Sequence, residues 1–490
     1  ISDGESFRIL IQVYEPLVRL KPGSASEIEG ALAESWEGDP AGTVYTFHLR
    51  KNVKFQDGTD FNAAAVVTNF DRWKNLPKEM QGDAYYYGAV MGGFGDNSII
   101  SKAEAVDDST VKITLKQPQP VFLTALTLTT FSIVSPKVLT DMNASDPTKS
   151  KFGTDPSLGG TGAFKLTGYV PDDSATLERN DSYWGTKALL DKVIIKPISD
   201  PTARLQALQS GSIQGYDLVA PRDVKTITDN ADLQLVKRPS FNVGYLGLQV
   251  SKPPVNDLKV RQAIAHAIDK QAIVDTIYAG LAKPAKEFIA PSSQFYDDSI
   301  QDYAYDPNKA KSLLQEAGYS DTNKPTVEFW YPTNVTRPYM PDPKGLFEAI
   351  TQQLRAVGFN VKPNSADWST VYLKNESSGN YQLYLLGWTG DYDDPSDWYG
   401  VFFGFQGNTP NLEHGFNPPG FKAALDKANG TLQTDARKTA YQEVYKIVHD
   451  QVGSVPLVHA DTALAFTKAV QGYQVNPTGS ERFDTIYLTK

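Results

Sequence analysis

The sequence predicts an α/β protein, on three observations. Between residues 257 and 460, stretches of helical and strand period alternate, as crossover helices on a mostly parallel sheet would require. The 490 residues suggest about three domain-sized units, with ample apolar material for large cores. The apolar run Tyr384 to Leu386 leads into Gly387-Trp-Thr-Gly-Asp-Tyr-Asp-Asp-Pro-Ser-Asp-Trp-Tyr399. A buried strand thus delivers acids and aromatic rings at its carboxyl end, where α/β proteins place ligands.

The elements follow in chain order. Arg8 to Leu20 begins apolar and leads into the turn Lys21-Pro-Gly-Ser. Thr43 to Arg50 alternates with period two and predicts a strand, followed by a turn at Lys54-Phe-Gln-Asp-Gly58. From Asn62 onward, Ala63, Ala64, Val66, Val67, Phe70 and Trp73 mark a capped amphipathic helix. Ala103 to Leu115 predicts two strands joined at Asp107-Asp-Ser109. Gly159-Gly-Thr-Gly lacks both the Gly-Lys-Ser/Thr ending of a P-loop and the spacing of a dinucleotide fingerprint, so no phosphate site is expected there. A helix lies around Pro201 to Gln209 and a strand at Asn242 to Val250. One long helix runs from Asp257 to about Ile277, with Val260, Ile264, Ala267, Ile268 and Ile273 as its apolar stripe. Asp306–Ala317, Lys344–Val357 and Phe421–Val452 read as further helices; Val327–Tyr331, Phe359–Lys362 and Gln382–Leu386 read as strands. Val470 to Leu488 returns to short β-like runs.

Composition narrows the function classes. A net charge of −10 argues against nucleic acid or anionic lipid as the main partner. Cysteine is absent, which removes thiol catalysis, disulfides and thiolate metal sites. The five histidines, His48, His266, His414, His449 and His459, include no pair at zinc spacing, and neither a His-Glu-x-x-His nor a Gly-x-Ser-x-Gly motif occurs. No catalytic residue, metal site or cofactor is expected. The 25 Tyr, 23 Phe and 7 Trp suit a protein that grips ligands through rings.

The acidic stretch admits several readings. A calcium loop of the EF-hand type fails, since the sixth and twelfth positions counted from Asp391 are Ser396 and Phe402, and from Asp393 Trp398 and Gly404. A glycosidase with Asp391 and a second carboxylate, and a solvated acidic turn punctuated by Pro395, both remain open. Trp388, Tyr392, Trp398 and Tyr399 argue against full exposure.

Several stretches together carry a family resemblance. They are Leu32-Ala-Glu-Ser-Trp36 with Tyr45-Thr-Phe-His-Leu-Arg-Lys-Asn-Val-Lys-Phe55, Gly160-Thr-Gly-Ala-Phe164 and Tyr183-Trp-Gly185. Val260-Arg-Gln-Ala-Ile-Ala-His-Ala-Ile-Asp-Lys270, Tyr305-Asp-Pro-Asn-Lys-Ala-Lys311 and Gly387-Trp-Thr-Gly-Asp391 complete the set. In this order, and over nearly the whole chain, they resemble the extracellular solute-binding proteins, family 5, of bacterial ABC importers, and most closely the dipeptide-binding members.

The resemblance implies a two-lobe periplasmic-binding-protein fold that closes over its ligand by a hinge. Lobe one would take residues 1–248 and 469–490, enlarged by an extra subdomain at about 33–165; lobe two would take residues 249–468. It implies a monomer, periplasmic or lipid-anchored at the cell surface, that captures dipeptides or short peptides and delivers them to a membrane permease without catalysis. Family members usually carry another short strand before the segment matching Ile1-Ser-Asp-Gly-Glu-Ser-Phe7, so further N-terminal residues, including a lipid-anchoring Cys, are expected. In dipeptide-binding relatives the aspartate of Gly-Trp-Thr-Gly-Asp holds the peptide ammonium, which assigns Asp391, with Trp388, Thr389 and Gly390 beside it. An arginine in Arg-Pro-Tyr holds the carboxylate, which assigns Arg337 with Tyr339; a tryptophan after the next strand lines the pocket, which assigns Trp368. The N-terminal loop Ser2 to Ser6 would add contacts through Gly4 and Ser6. Asp393, Asp394 and Asp397 would be solvated or hinge-adjacent. Ligand alternatives on the same fold are a longer oligopeptide, an oligosaccharide or a metal chelate.

Overall fold

Every residue of the strand β1, Asn242–Leu248, is buried, and the second half of the chain is laid around it. In the computed structural model, which describes residues 4–152 and 159–489, β1 is central in a six-stranded sheet. Its other members are β2 (Ala282–Pro284), β3 (Thr326–Thr333), β4 (Asn360–Asp367), β5 (Leu383–Thr389) and β6 (Val455–Ala460), in the spatial order β2-β6-β1-β5-β3-β4. Helices at Leu258–Ala267, Lys270–Ile277, Pro307–Glu316 and Pro343–Ala356 bring Val260, Ile264, Leu313, Ile350 and Leu354 into one core with Phe329 of β3 and Leu385 of β5. The sheet is mixed. β3 pairs parallel with β4 and β5, but β1 pairs antiparallel with β5 and β6, and β6 antiparallel with β2. The expectation of a mostly parallel sheet is therefore corrected. Only β3, β4 and β5 are linked by helical crossovers of the kind that force parallel pairing.

Two expected helices are each split. The Asp257–Ile277 stripe breaks at Ile268, whose backbone is extended, and Asp269 caps a new helix by accepting the Ala272 N–H at 2.9 Å. The Phe421–Val452 pattern is Phe421–Gly430 followed by Thr434–Asp450.

The chain divides into two compact units, residues 1–215 with 466–490 and residues 216–465. The units part at 215/216 and 465/466, against 248/249 and 468/469 expected for the lobes. β1 pairs on both sides with strands of the second unit, so the chain has entered that unit before residue 242.

The first unit contains an antiparallel sheet of Ala33–Gly38, Val44–Leu49, Thr110–Leu115 and Ile100–Asp107, in that spatial order, and a second of Phe164–Val170, Ser174–Arg179 and Lys192–Ile195. The helix Ala63–Lys74 starts where expected, with Asn62 Oδ1 accepting from the Ala65 N–H at 3.0 Å. The C-terminal segment is tied into this unit by Gln12: its amide donates to the Glu481 carbonyl at 2.9 Å and accepts from the Phe483 N–H at 2.9 Å. Buried Glu15 accepts from Thr161, Tyr183 and Trp184 at 2.7–2.9 Å and lies 3.4 Å from Arg482.

Candidate functional site

The three parallel strands end on one edge, at Thr333, Asp367 and Thr389, and each is followed by a residue of the expected site. After β3 the chain makes a tight turn in which Arg337 and Met340 exchange both backbone hydrogen bonds, at 3.2 and 2.9 Å. Met340 and Tyr339 are buried, and the Tyr339 carbonyl accepts from the Tyr278 hydroxyl at 2.8 Å. The ring of Tyr339 can lie on the sheet because its floor has no side chains. Gly244 of β1 pairs with Gly387 of β5. A methyl group on Gly387 would sit 2.3 Å from the Tyr339 ring, and one on Gly244 would sit 2.7 Å from its carbonyl oxygen. The first glycine of the Gly-Trp-Thr-Gly-Asp motif thus seats the turn that carries Arg337. Burial pushes the Tyr339 phenol up to about 12, against the pull of the Arg337 charge beside it.

Arg337 is half-buried, with its guanidinium 5.3 Å from the centre of the Trp368 ring. Trp368 opens the turn after β4. That turn is pinned to the one after β3 by Asp367, which accepts from Asn334 Nδ2 at 2.9 Å and from the Thr370 N–H at 3.0 Å. Behind it, the Tyr372 hydroxyl donates to the Leu385 carbonyl of β5 at 2.9 Å. Hydrogen bonds therefore join the turns after β3 and β4 to each other and tie the second of them to the middle of β5.

At the end of β5, Trp388 is half-buried, Thr389 exposed and Gly390 buried. Asp391 follows, half-buried, its backbone N–H donating to Asp397 Oδ2 at 2.7 Å. The solvated reading of Asp393, Asp394 and Asp397 is corrected: they are 3%, 5% and 3% exposed. Asp393 accepts from the Ser293 hydroxyl and from the Gln294 N–H. Asp394 meets Arg437 in a two-bond fork, both bonds 2.7 Å long. Burial, then the neighbouring Asp391 charge, raises the Asp397 carboxyl well above the carboxylate range. Three acids thus fold the loop, which leaves Asp391 as the half-buried one. Ser293, Arg437 and Tyr278 were not found from sequence. For Arg437 a cue existed: it falls on the same helical stripe as Ala440, Tyr441, Val444, Tyr445 and Val448.

Gly4 and Ser6 belong to the first unit. With Glu5 they lie on the helix Gly4–Val13, not on a loop, and the rest of the expected loop, Ser2 and Asp3, falls outside the described residues. Among the described residues no group of three or more His, Asp or Glu side chains is placed to hold a metal ion.

Residues 27–410 match the family described as bacterial extracellular solute-binding proteins, family 5. The chain belongs to that family. It is 34% identical, over 98% of its length and 89% of the relative's, to the dipeptide-binding protein of Escherichia coli K12. It is 33% identical to heme-binding protein A of Haemophilus influenzae, over 99% and 88% of the two chains. Among solved structures, the ABC transporter-associated periplasmic binding protein DppA from Helicobacter pylori, in complex with the peptide STSA, superposes with a TM-score of 0.82 at 29% identity, over 100% of this chain and 95% of that one. This chain has the two-lobe α/β fold of periplasmic binding proteins, and its role is to bind solute for an ABC importer, not to catalyse. The glycosidase alternative is thereby set aside.

Proposed function

We propose that this protein captures dipeptides and delivers them to the membrane permease of an ABC importer, acting as a periplasmic or lipid-anchored monomer. The observation that carries the proposal is the placing of two opposite charges on one edge of one sheet. Asp391 leaves β5 and Arg337 leaves β3, adjacent parallel strands roughly 4.8 Å apart. A carboxylate suits a peptide ammonium, and a guanidinium fork suits a peptide carboxylate. Trp368 and Tyr339 both interact with Arg337, which helps to hold the cationic end in place. An extended chain grows by at most ~3.6 Å per residue, so anchors fixed in one unit select ligand length. Selection would then rest on backbone charges and leave side-chain identity loosely read.

Calorimetry with free and capped dipeptides tests this. Asp391→Asn should weaken free dipeptides at least roughly tenfold while changing N-acetylated ones far less. Arg337→Ala should do the same for C-terminal amides. Equal affinity of the unmodified protein for free and capped dipeptides would overturn the proposal. A second reading, a ligand of another class in the same site, draws on the 33% identity to a protein named for heme. Mass spectrometry of whatever is released from the purified protein separates the two.

A further inference from the structure

The second unit holds a partly open cavity that none of Arg337, Tyr339, Trp368, Trp388 or Asp391 lines. Its wall is drawn from Lys270, Glu287, Tyr303, Tyr399, Tyr445 and His449, among others, and is mostly apolar. It leaves about 20 Å³ for the centre of a water-sized guest, where one water needs roughly 10–15 Å³.

Three polar atoms of these residues are buried with no hydrogen-bond partner among the described residues: Glu287 Oε2, Tyr445 Oη and His449 Nε2. Glu287 and Tyr445 are each 2% exposed. The other Glu287 oxygen accepts from the Asp297 N–H at 2.7 Å, so that carboxyl is held on one side only. Lys270, 5% exposed, donates to the Ala285 carbonyl at 2.8 Å and to Asp302 Oδ1 at 2.5 Å, which uses two of its three ammonium hydrogens. Folded proteins rarely leave so many buried polar atoms unpaired around one void, and voids that stay dry are lined by apolar groups alone. A cation is disfavoured by the Lys270 ammonium, and an anion by the Asp302 carboxylate. A neutral guest that both donates and accepts fits this lining.

We infer that the cavity is an ordered-water site, where one water bonds Glu287 Oε2 and at least one of Tyr445 Oη, His449 Nε2 and Lys270 Nζ. The site stands behind the acidic loop. The chain segment that lines it with Glu287 and Tyr303 also carries Ser293, which holds Asp393. The helix that lines it with Tyr445 and His449 also carries Arg437, which holds Asp394. Tyr399, just past the loop, packs its ring 4.6 Å from that of Tyr445. The bridging water is thus a filler between the two supports of the loop that presents Asp391.

The test is a crystal structure of the full chain at a resolution that shows ordered waters, with data before and after xenon pressurisation. The expected result is one fully occupied water within hydrogen-bond distance of Glu287 Oε2, unchanged under xenon. An empty cavity, xenon density inside it, or an ion or larger molecule in place of water would overturn the inference. The readout does not depend on which solute the protein carries, so it stands apart from the dipeptide proposal.

Discussion

Arg437 shows what a single side chain does for the loop. It is 3% exposed, forks onto Asp394 and also donates to the carbonyls of Ala428 and Asn429. Removing one partner of such a pair leaves a bare buried charge, which costs about 3–5 kcal/mol. Arg437→Met should lower the urea midpoint accordingly, and adding Asp394→Leu should recover a large part of the loss. Buried carboxyls also set a pH dependence. Burial pushes Glu287 up to about 9, from 4.5, and burial together with Glu413 raises Glu376 well above its usual range. The folded protein then binds more protons than the unfolded one, so this contribution is full below about pH 4.5 and is lost as pH rises towards 9. His414, lowered to about 3, and His459, lowered to about 4, both by burial, act the other way and only below their unfolded value of 6.5. Between pH 7 and 9 the carboxyls therefore act without them. Stability should fall there by up to about 1.4 kcal/mol per pH unit for each such carboxyl. Glu287→Gln should remove its share of that slope in urea titrations.

At the scale of elements, local pattern and non-local pairing separate what the sequence showed from what it did not. The strands at Thr43–Arg50, Asn242–Val250 and Val327–Tyr331 and the Asn62-capped helix were legible because period and caps are local. The break at Ile268 was missed because its apolar side chain continues the stripe, and only the Asp269 cap marks the new start. The antiparallel half of the sheet was not legible, since β1 meets β6 across some two hundred residues and no periodicity encodes a partner. Asp391, Arg337 and Trp368 came from family likeness. The burial of Asp393 and Asp394 depends on Ser293 and Arg437, distant in sequence and unremarkable on their own. The Gly244–Gly387 pair yields a further expectation. Gly387→Ala would push the Tyr339 ring and with it the Arg337 turn, and overpacking of this kind costs about 1–3 kcal/mol. Calorimetry should show free dipeptides weakened and C-terminal amides little changed, because the proposed carboxylate anchor is what moves.

At the scale of the molecule, the family fold implies a change on loading. Ligand shifts a conformational equilibrium by as much as the two states differ in affinity. Small-angle scattering of ligand-free and dipeptide-saturated protein should show a smaller radius of gyration with ligand; identical profiles would count against hinge closure. The order of residues along the chain has a consequence of its own. The second unit is one uninterrupted stretch, 216–465, whereas the first needs residues 466–490. The groups that complete it, Glu481 and Phe483 for Gln12 and Arg482 for Glu15, arrive last. A ribosome or secretion channel releasing this chain from its N-terminus emits every residue of the second unit before the first can finish. Residues 1–215 must wait, incomplete, for the tail, and any helper that shields a nascent chain has most to do there.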